Sequence, residues 1–191
     1  MTFGFPTAVQ IATDALDKLV TTAESHDRVM ILEVMGRDAG WIALYSAIAG
    51  GAEVCLIPEI PYKIEPIMKK IESRFTNGNG FCNIIVAEGA VSANKDFHYT
   101  NTNNPSAAYR LLDELKSAGM EHDARVTVLG HLQRGGVPIA QDRILATQFG
   151  VKAFEMVMEK QFGSMVGLIN NKISSVLIKD AISKYNYIDL D

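Results

Sequence analysis

Apolar residues near the start of the chain recur every three or four positions, which is the spacing of an amphipathic helix. Ala8, Ile11 and Leu19 share one side of this segment, and Pro6 suits its first turn. A nearly continuous apolar run follows at residues 28–34. Such a run is typical of a strand that is covered on both faces. The pattern therefore predicts a helix followed by a strand of a parallel sheet.

The same alternation of helical and extended patterns continues along the chain. The predicted helices cover residues 41–49, 64–75, 106–117 and 142–160, and the predicted strands cover residues 54–57, 83–87 and 125–129. A weaker helix is predicted near the C-terminus. Within residues 142–160 we expect a buried stripe formed by Ile144, Val151, Phe154 and Met158. The alternation predicts a single α/β domain over residues 1–191, with an open, mostly parallel sheet and helices on both faces.

The composition agrees with a folded domain and excludes several classes of protein. The 191 residues are 48% apolar, which is enough to close a core, and the net charge is −4 without a run of basic residues. No apolar run approaches the roughly 20 residues that cross a bilayer, and the N-terminus lacks a secretory signal pattern. We therefore expect a soluble, cytoplasmic protein that binds neither nucleic acid nor membranes. Cys55 and Cys82 lie in apolar runs, and we expect both to be small buried residues.

Polar residues follow three of the predicted strands at their carboxyl ends, where open parallel sheets bind ligands. These residues are Met35, Gly36 and Arg37 after the first strand, Glu88 after the third, and His131 and Arg134 after the fourth. Arginine and histidine hold phosphate groups by charge-assisted bonds, and a glutamate accepts hydrogen bonds from hydroxyls. The pattern therefore predicts a site for a phosphorylated polyol. The alternative, that each is an ordinary solvated surface residue, stays open, and no cluster has the spacing of a metal site.

Two longer motifs resemble the phosphofructokinase family. The first runs from Arg28 to Trp41 and is followed by residues 48–51, and the second covers residues 129–136 and is followed by residues 142–146. The resemblance extends from residue 2 to about residue 155 and is strongest to the bacterial branch, which has ATP-using and diphosphate-using members. It implies the Rossmann-like lobe of the phosphofructokinase fold. It also implies phosphoryl transfer from ATP or diphosphate to the 1-hydroxyl of fructose 6-phosphate in glycolysis, with Mg²⁺ as the cofactor.

The resemblance implies roles for residues at the first and third strand ends. Met35, Gly36 and Arg37 match the loop that contacts the sugar phosphate and the transferring group, with Arg37 as a candidate stabiliser of the transition state. Glu88 matches an acceptor of sugar hydroxyls.

Four further positions match residues that bind phosphate in the family. His131 and Arg134 match residues on the 6-phosphate side of the sugar. Arg28 and Arg125 match two arginines that enter the sugar site of a neighbouring subunit, which implies a homo-oligomer.

The chain also departs from the family pattern. The glycine-rich loop for the nucleotide phosphates and the segment with the catalytic base are not found, and family members carry both upstream of the point where this sequence begins. We therefore expect neither the catalytic base nor metal ligands in this chain, and no activity from it alone. The leading hypothesis is the sugar-phosphate-binding part of a phosphofructokinase. The alternatives are a non-catalytic sugar-phosphate-binding or regulatory module that assembles with a full-length enzyme, and an unrelated α/β domain for another phosphorylated ligand.

Overall fold

Helices and strands alternate through most of the computed structural model, which describes residues 2–78, 80–95 and 106–190. The helices are α1 (Phe5–His26), α2 (Trp41–Gly50), α3 (Ile64–Thr76), α4 (Ala107–Ser117), α5 (Ala140–Met158) and α6 (Ile178–Ala181). The strands are β1 (Val29–Val34), β2 (Val54–Leu56), β3 (Cys82–Ala87), β4 (Ala124–Val128), β5 (Ser164–Ile169) and β6 (Lys172–Leu177). Within the described residues, no helix is both long and apolar enough to cross a membrane.

The four strands β1 to β4 form a parallel sheet in the order β2-β3-β1-β4. Every side chain of the central strands β1 and β3 is buried. Because side chains alternate along a strand, Ile31 belongs to one apolar cluster, with α3 and α4, while its neighbour Leu32 belongs to a second cluster, with α1 and α2. The predicted α/β class, with a parallel sheet and helices on both faces, is therefore confirmed.

The chain divides into two compact units. The sheet unit comprises residues 9–135 and the C-terminal segment that starts at Tyr187. The hairpin unit comprises the N-terminal residues up to Ala8 and residues 136–186, with α5, α6 and the antiparallel pair β5–β6. The single domain predicted over residues 1–191 stays a prediction.

A β-hairpin, which the sequence analysis did not predict, occupies residues 164–177, and the weaker helix predicted near the C-terminus is present as the four residues of α6. Asn170 and Asn171 join the two strands with φ angles of 49° and 59°. Two consecutive positive φ values are characteristic of the type I′ turn, whose twist matches that of paired antiparallel strands, and asparagine tolerates this conformation. The Asn-Asn pair between two partly apolar runs was the signal for this hairpin. Only α6, with four residues, is helical in this region.

The stripe predicted to be buried in α5 is instead exposed. Ile144, Val151, Phe154 and Met158 are 60%, 58%, 67% and 68% accessible. The buried side chains of this helix are Asp142, Leu145 and Met156. The periodicity correctly identified an apolar side of the helix, but the described residues do not cover it. A pattern of this kind shows that a side requires a partner without showing which element provides it.

Both cysteines lie in the sheet and are free thiols. Cys82 is buried and Cys55 is half-buried. Burial, together with the neighbouring carboxylate of Glu59, raises the pKa of the Cys55 thiol to about 11, and burial together with that of Glu53 raises the pKa of the Cys82 thiol to about 12. The prediction that both are small buried residues is confirmed for Cys82, whereas Cys55 is only half-buried.

Candidate functional site

The carboxyl ends of β1, β3 and β4 lie side by side at one edge of the sheet. Strand β1 is central, and its last residue Val34 pairs with Ala87 of β3, while Glu33 pairs with Val128 of β4. The segments that follow these strands are therefore neighbours. They contain six of the residues selected from the sequence: Met35, Gly36, Arg37, Glu88, His131 and Arg134.

The Glu88 carboxylate holds the loop that follows β1. The backbone N–H groups of Gly36 and Arg37 donate to Glu88 Oε1 at 3.0 and 2.8 Å. The backbone N–H of Glu88 donates to the carbonyl of Val34 at 2.9 Å, which fixes the glutamate at the end of the sheet. Within the described part of the chain, no hydrogen bond involves Oε2, so this oxygen remains open to a ligand hydroxyl. Glu88 therefore acts first as a support for the loop that carries Arg37.

A second support comes from Gln133, which the sequence analysis did not single out. Gln133 is buried, and its Oε1 accepts a hydrogen bond from the backbone N–H of Met35 at 2.9 Å. It lies in the short 3₁₀ helix Gly130–Arg134, where residues three apart share one side. His131 and Arg134 therefore lie on the exposed side while Gln133 turns inward. The spacing of three between His131 and Arg134 was the feature of the sequence that could have indicated an inward-facing Gln133.

The turn at Arg37 places its backbone close to the end of β3. Arg37 has a φ of 52°, a left-handed conformation that costs a non-glycine residue on the order of 1 kcal/mol. Gly89 packs against this turn, and a Cβ atom built there would lie 2.0 Å from the Arg37 carbonyl oxygen. Only a glycine at position 89 therefore allows the end of β3 to approach the turn at Arg37 this closely. The Glu88 hydrogen bonds hold this turn in place, with the Arg37 residue exposed.

The remaining strand of the sheet, β2, is also followed by a carboxylate, which the sequence analysis missed. Glu59 follows β2 and accepts two bonds from the backbone N–H of Gly40, at 3.0 and 3.1 Å, and one from Ile188 at 3.1 Å. Gly40 is the residue before α2, so Glu59 satisfies a donor at the N-terminus of that helix. An acidic residue directly after the β2 run and Pro58 was the signal.

Arg28 and Arg125 lie at the opposite end of the sheet from the other candidates. Arg28 precedes β1, and Arg125 is the second residue of β4. A strand of the length of β1 spans about 20 Å, so these arginines and Arg37 do not meet within one chain.

Asp123 joins the two arginines at that end. Its Oδ2 accepts from Arg28 Nε at 2.7 Å, and its Oδ1 accepts from Arg125 Nη1. Desolvation raises the pKa of the Asp123 carboxyl, but the hydrogen bonds and charges of the two arginines outweigh it and hold this pKa below its ordinary value. Asp123 is therefore a charged partner for both guanidinium groups.

Metal-binding chemistry has no candidate within the described ranges, since no group of three or more His, Cys, Asp or Glu residues is placed to hold an ion. The edge with Arg37, His131 and Arg134 instead presents donors suited to an anion, and the free Glu88 oxygen is an acceptor for a hydroxyl. The arrangement suits a ligand with both phosphate and hydroxyl groups.

Comparison with known proteins gives a consistent result. The family model described as Phosphofructokinase matches residues 1–157. The chain is 47% identical to the ATP-dependent 6-phosphofructokinase 2 of Clostridium perfringens, over 99% of this chain and 54% of that protein. It is 43% identical to the ATP-dependent 6-phosphofructokinase of Corynebacterium efficiens, over 100% of this chain and 57% of that protein. The chain thus spans about half the length of the curated relatives that it matches.

Solved structures show the same fold. The phosphofructokinase of Saccharomyces cerevisiae superposes with a TM-score of 0.81 at 34% identity, over 96% of this chain and 24% of that chain. The pyrophosphate-dependent phosphofructokinase of Marinobacter aquaeolei superposes with a TM-score of 0.78 over 96% of this chain and 48% of that chain. At 24% identity, the second likeness supports the fold alone.

Proposed function

The chain belongs to the phosphofructokinase family, and from that premise we propose that it supplies the fructose 6-phosphate site of a 6-phosphofructokinase. The whole enzyme then transfers a phosphoryl group to the 1-hydroxyl of this sugar, giving fructose 1,6-bisphosphate in glycolysis, in the cytoplasm. The observation that carries the proposal is the hydrogen-bonded convergence of three strand ends, which places Arg37, Glu88, His131 and Arg134 at one edge of the sheet.

Two groups of this edge bind the phosphate of the sugar in our proposal. Arg134 donates from a permanently charged guanidinium, and His131 lies on the same side of the 3₁₀ helix. Gln133 anchors this helix to the loop after β1 through the Met35 N–H, so the phosphate-binding and sugar-binding segments keep a fixed relation. Such preorganisation lowers the entropy lost on binding.

The loop after β1 positions the reacting end of the sugar. The free Oε2 of Glu88 accepts from a sugar hydroxyl, while Oε1 keeps the backbone of Gly36 and Arg37 in place. Arg37 then directs its charge toward the transferring phosphoryl group and stabilises the negative charge that spreads over its oxygens in the transition state.

The phosphoryl donor in our proposal is ATP. The curated relatives at 43–47% identity are named ATP-dependent, whereas the structure named for pyrophosphate shares 24% identity and supports the fold alone. Diphosphate remains the alternative donor. In this proposal, the catalytic base and the groups that bind the donor and Mg²⁺ lie in the part of the curated relatives that this chain does not match. We therefore propose that the chain is inactive alone.

A homo-oligomer completes the site in this proposal. Arg28 and Arg125, held by Asp123 at the far end of the sheet, enter the sugar site of a neighbouring copy. Their separation from Arg37 by the length of β1 supports a role between subunits.

Calorimetric titration of the purified chain with fructose 6-phosphate tests the proposal, with glucose 6-phosphate as the control ligand. We expect saturable binding that is selective for the fructose ester. The substitution Arg134→Ala should weaken it by about tenfold or more, because one charge-assisted bidentate contact is lost. Arg143→Ala removes an exposed arginine of the hairpin unit and should leave affinity unchanged. A folded sample without selective binding, or equal losses in the two variants, contradicts the proposal.

A further inference from the structure

The loop after β1, residues 35–40, receives a supporting side chain from the end of each other strand of the parallel sheet. Gln133 follows β4 and accepts from the first N–H of the loop at 2.9 Å. Glu88 follows β3 and accepts from the next two N–H groups. Glu59 follows β2 and accepts from the last N–H of the loop with both of its oxygens, at 3.0 and 3.1 Å. Glu59 therefore holds the end of the loop, as the other two side chains hold its beginning.

The contact between Glu59 and Gly40 is closely packed. A Cβ atom built at Gly40 would overlap the Ile57 side chain and would lie 3.0 Å from Glu59 Oε2. Ile57 is buried, so it has little room to move aside. A glycine at position 40 thus lets the carboxylate reach the N–H, and helix α2 begins at the next residue, Trp41. Glu59 fixes the end of the loop and the start of this helix together.

Glu59 also binds the C-terminal segment that starts at Tyr187. Its Oε1 accepts from the Ile188 backbone N–H at 3.1 Å. The Ile188 side chain packs against the apolar cluster that includes α1 and α2, whereas Tyr187 and Leu190 are 50% and 57% exposed. Ile188 therefore anchors this segment to the sheet unit. One carboxylate thus joins a segment far along the sequence to the loop that carries Arg37.

The charge of Glu59 does not favour an anionic ligand at this edge of the sheet. A carboxylate repels a phosphate group, and this repulsion by itself lowers the affinity for a sugar phosphate. A favourable contribution of Glu59 to binding must therefore come from its hydrogen bonds. These bonds restrict the loop before the ligand arrives, which reduces the conformational entropy that is lost on binding.

We propose that Glu59 is a positioning residue for the loop after β1 and that it couples the C-terminal segment at Ile188 to this loop. Without the carboxylate, the second half of the loop and the first turn of α2 gain conformational freedom, and Arg37 is less well oriented. The effect on affinity rests on the proposed fructose 6-phosphate site, whereas the effect on the loop is independent of any ligand.

Fluorescence of Trp41 tests the effect on the loop without a ligand. Trp41 is the single tryptophan of the chain, is half-buried and follows Gly40 directly. Glu59→Ala should raise the rate of acrylamide quenching by about twofold, because the end of the loop loosens. Glu59→Gln keeps an acceptor oxygen for the Gly40 N–H and should remain near the wild type. Glu24→Ala removes an exposed glutamate of α1 and is the control.

Calorimetric titration with fructose 6-phosphate measures the effect on the site. Glu59→Ala should weaken binding by about fivefold, although removal of a negative charge alone would strengthen it. Glu59→Gln removes the same charge, keeps the loop contact and should bind at least as tightly as the wild type. Urea denaturation shows that each variant is folded. Equal losses of affinity in Glu59→Ala and Glu59→Gln would contradict the proposal.

Two substitutions at Ile188 test the coupling to the C-terminal segment. Ile188→Pro removes the N–H that Glu59 accepts, and Ile188→Ala keeps it, while both remove the packed side chain. Quenching of Trp41 should be faster in Ile188→Pro than in Ile188→Ala. The two should become equal in the Glu59→Ala background, because the shared acceptor is then absent. An equal response of the two variants in the wild-type background would overturn the coupling, also if Glu59→Ala does not fold.

The two measurements separate this inference from the proposed function. A folded wild type that does not bind fructose 6-phosphate would refute the proposed function, and the quenching of Trp41 would still decide the role of Glu59. Selective binding by the wild type, with quenching and affinity unchanged in Glu59→Ala, would overturn the positioning role alone.

Discussion

The centre of the parallel sheet and helix α5 are both rich in apolar residues, but the residues that the structure describes bury only the first on both sides. All side chains of β1 and β3 are buried between helices on the two faces of the sheet. In α5, Phe154 and Met158 are 67% and 68% exposed.

The difference follows from how the two elements obtain their partners. In a parallel sheet the connections between neighbouring strands are helices, so the chain itself supplies the cover for both faces. The second side of a helix after the last parallel strand has no such obligatory partner. Apolar periodicity is therefore a sound guide to burial for β1 and β3 but not for α5 within the same chain.

The largest predicted difference is between the stability lost on truncating a side chain in the centre of the sheet and that lost on truncating one on the exposed side of α5. Ile84→Ala removes a fully buried side chain from β3 and should lower the free energy of unfolding by about 3 kcal/mol. Phe154→Ala removes a larger but exposed side chain and should change it by less than about 0.5 kcal/mol in the isolated chain. Urea denaturation followed by circular dichroism measures both. Similar losses in the two variants would mean that the stripe is already covered.

A smaller effect is expected where α5 is held by polar contacts. Asp142 is buried and accepts from the backbone N–H groups of Gly4 and Thr7 at 2.7 and 2.9 Å, and from the Thr7 hydroxyl. Asp142→Asn should cost about 2 kcal/mol at neutral pH, because a charged acceptor of several bonds is replaced. Denaturation at neutral pH measures the loss, with the exposed Asp17→Asn as the control. A loss no larger than that of the control would contradict this view.

The pH dependence of the same residue has a defined sign. Burial raises the pKa of the Asp142 carboxyl, but the bonds from Thr7 and Gly4 outweigh it and lower this pKa below its ordinary value. The stabilisation is therefore complete above the unfolded pKa of about 4, and it is lost as the pH falls through the lower native pKa. The gap in stability between the wild type and Asp142→Asn should narrow in acid. A gap that stays constant from pH 7 to acid would contradict this assignment.

At the carboxyl edge of the sheet, the predicted effect concerns ligand affinity. Glu88→Ala removes both bonds that hold Gly36 and Arg37 and should weaken fructose 6-phosphate binding by about tenfold. Glu88→Gln keeps an acceptor oxygen and should bind more tightly than Glu88→Ala. Calorimetry on the two variants measures the difference. Equal affinity in the wild type and Glu88→Ala would show that the loop holds its shape without this carboxylate.

The smallest change is expected at the amino end of the sheet. Asp123→Asn removes the charged partner of Arg28 and Arg125, but this group is exposed to solvent. The midpoint of thermal unfolding should shift by less than about 2 °C, because exposed ion pairs contribute little to stability. Differential scanning calorimetry measures the shift. A larger fall in the unfolding midpoint would show that the ion pairs of Asp123 contribute to stability as buried interactions do.

The sequence predicted which strand ends meet but not all the groups that join them. The apolar runs identified β1, β3 and β4, and parallel strands place Arg37, Glu88 and Arg134 at one edge. The role of Gln133 as a support for the loop after β1 could not be predicted, because only the 3₁₀ helix turns its side chain toward Met35. Glu59 escaped notice because its partner, Gly40, is nineteen positions away.

The sequence by itself determined the α/β class, the order of the main elements up to α5, and the family. These properties follow from local periodicity and from contiguous motifs, which need no knowledge of distant contacts. Tertiary structure decided which side of α5 is covered, that Glu88 and Gln133 support the loop after β1, and that Asp123 pairs with two arginines. The physical reason is that burial and hydrogen bonding depend on segments far apart in the chain, and a local pattern cannot identify those partners.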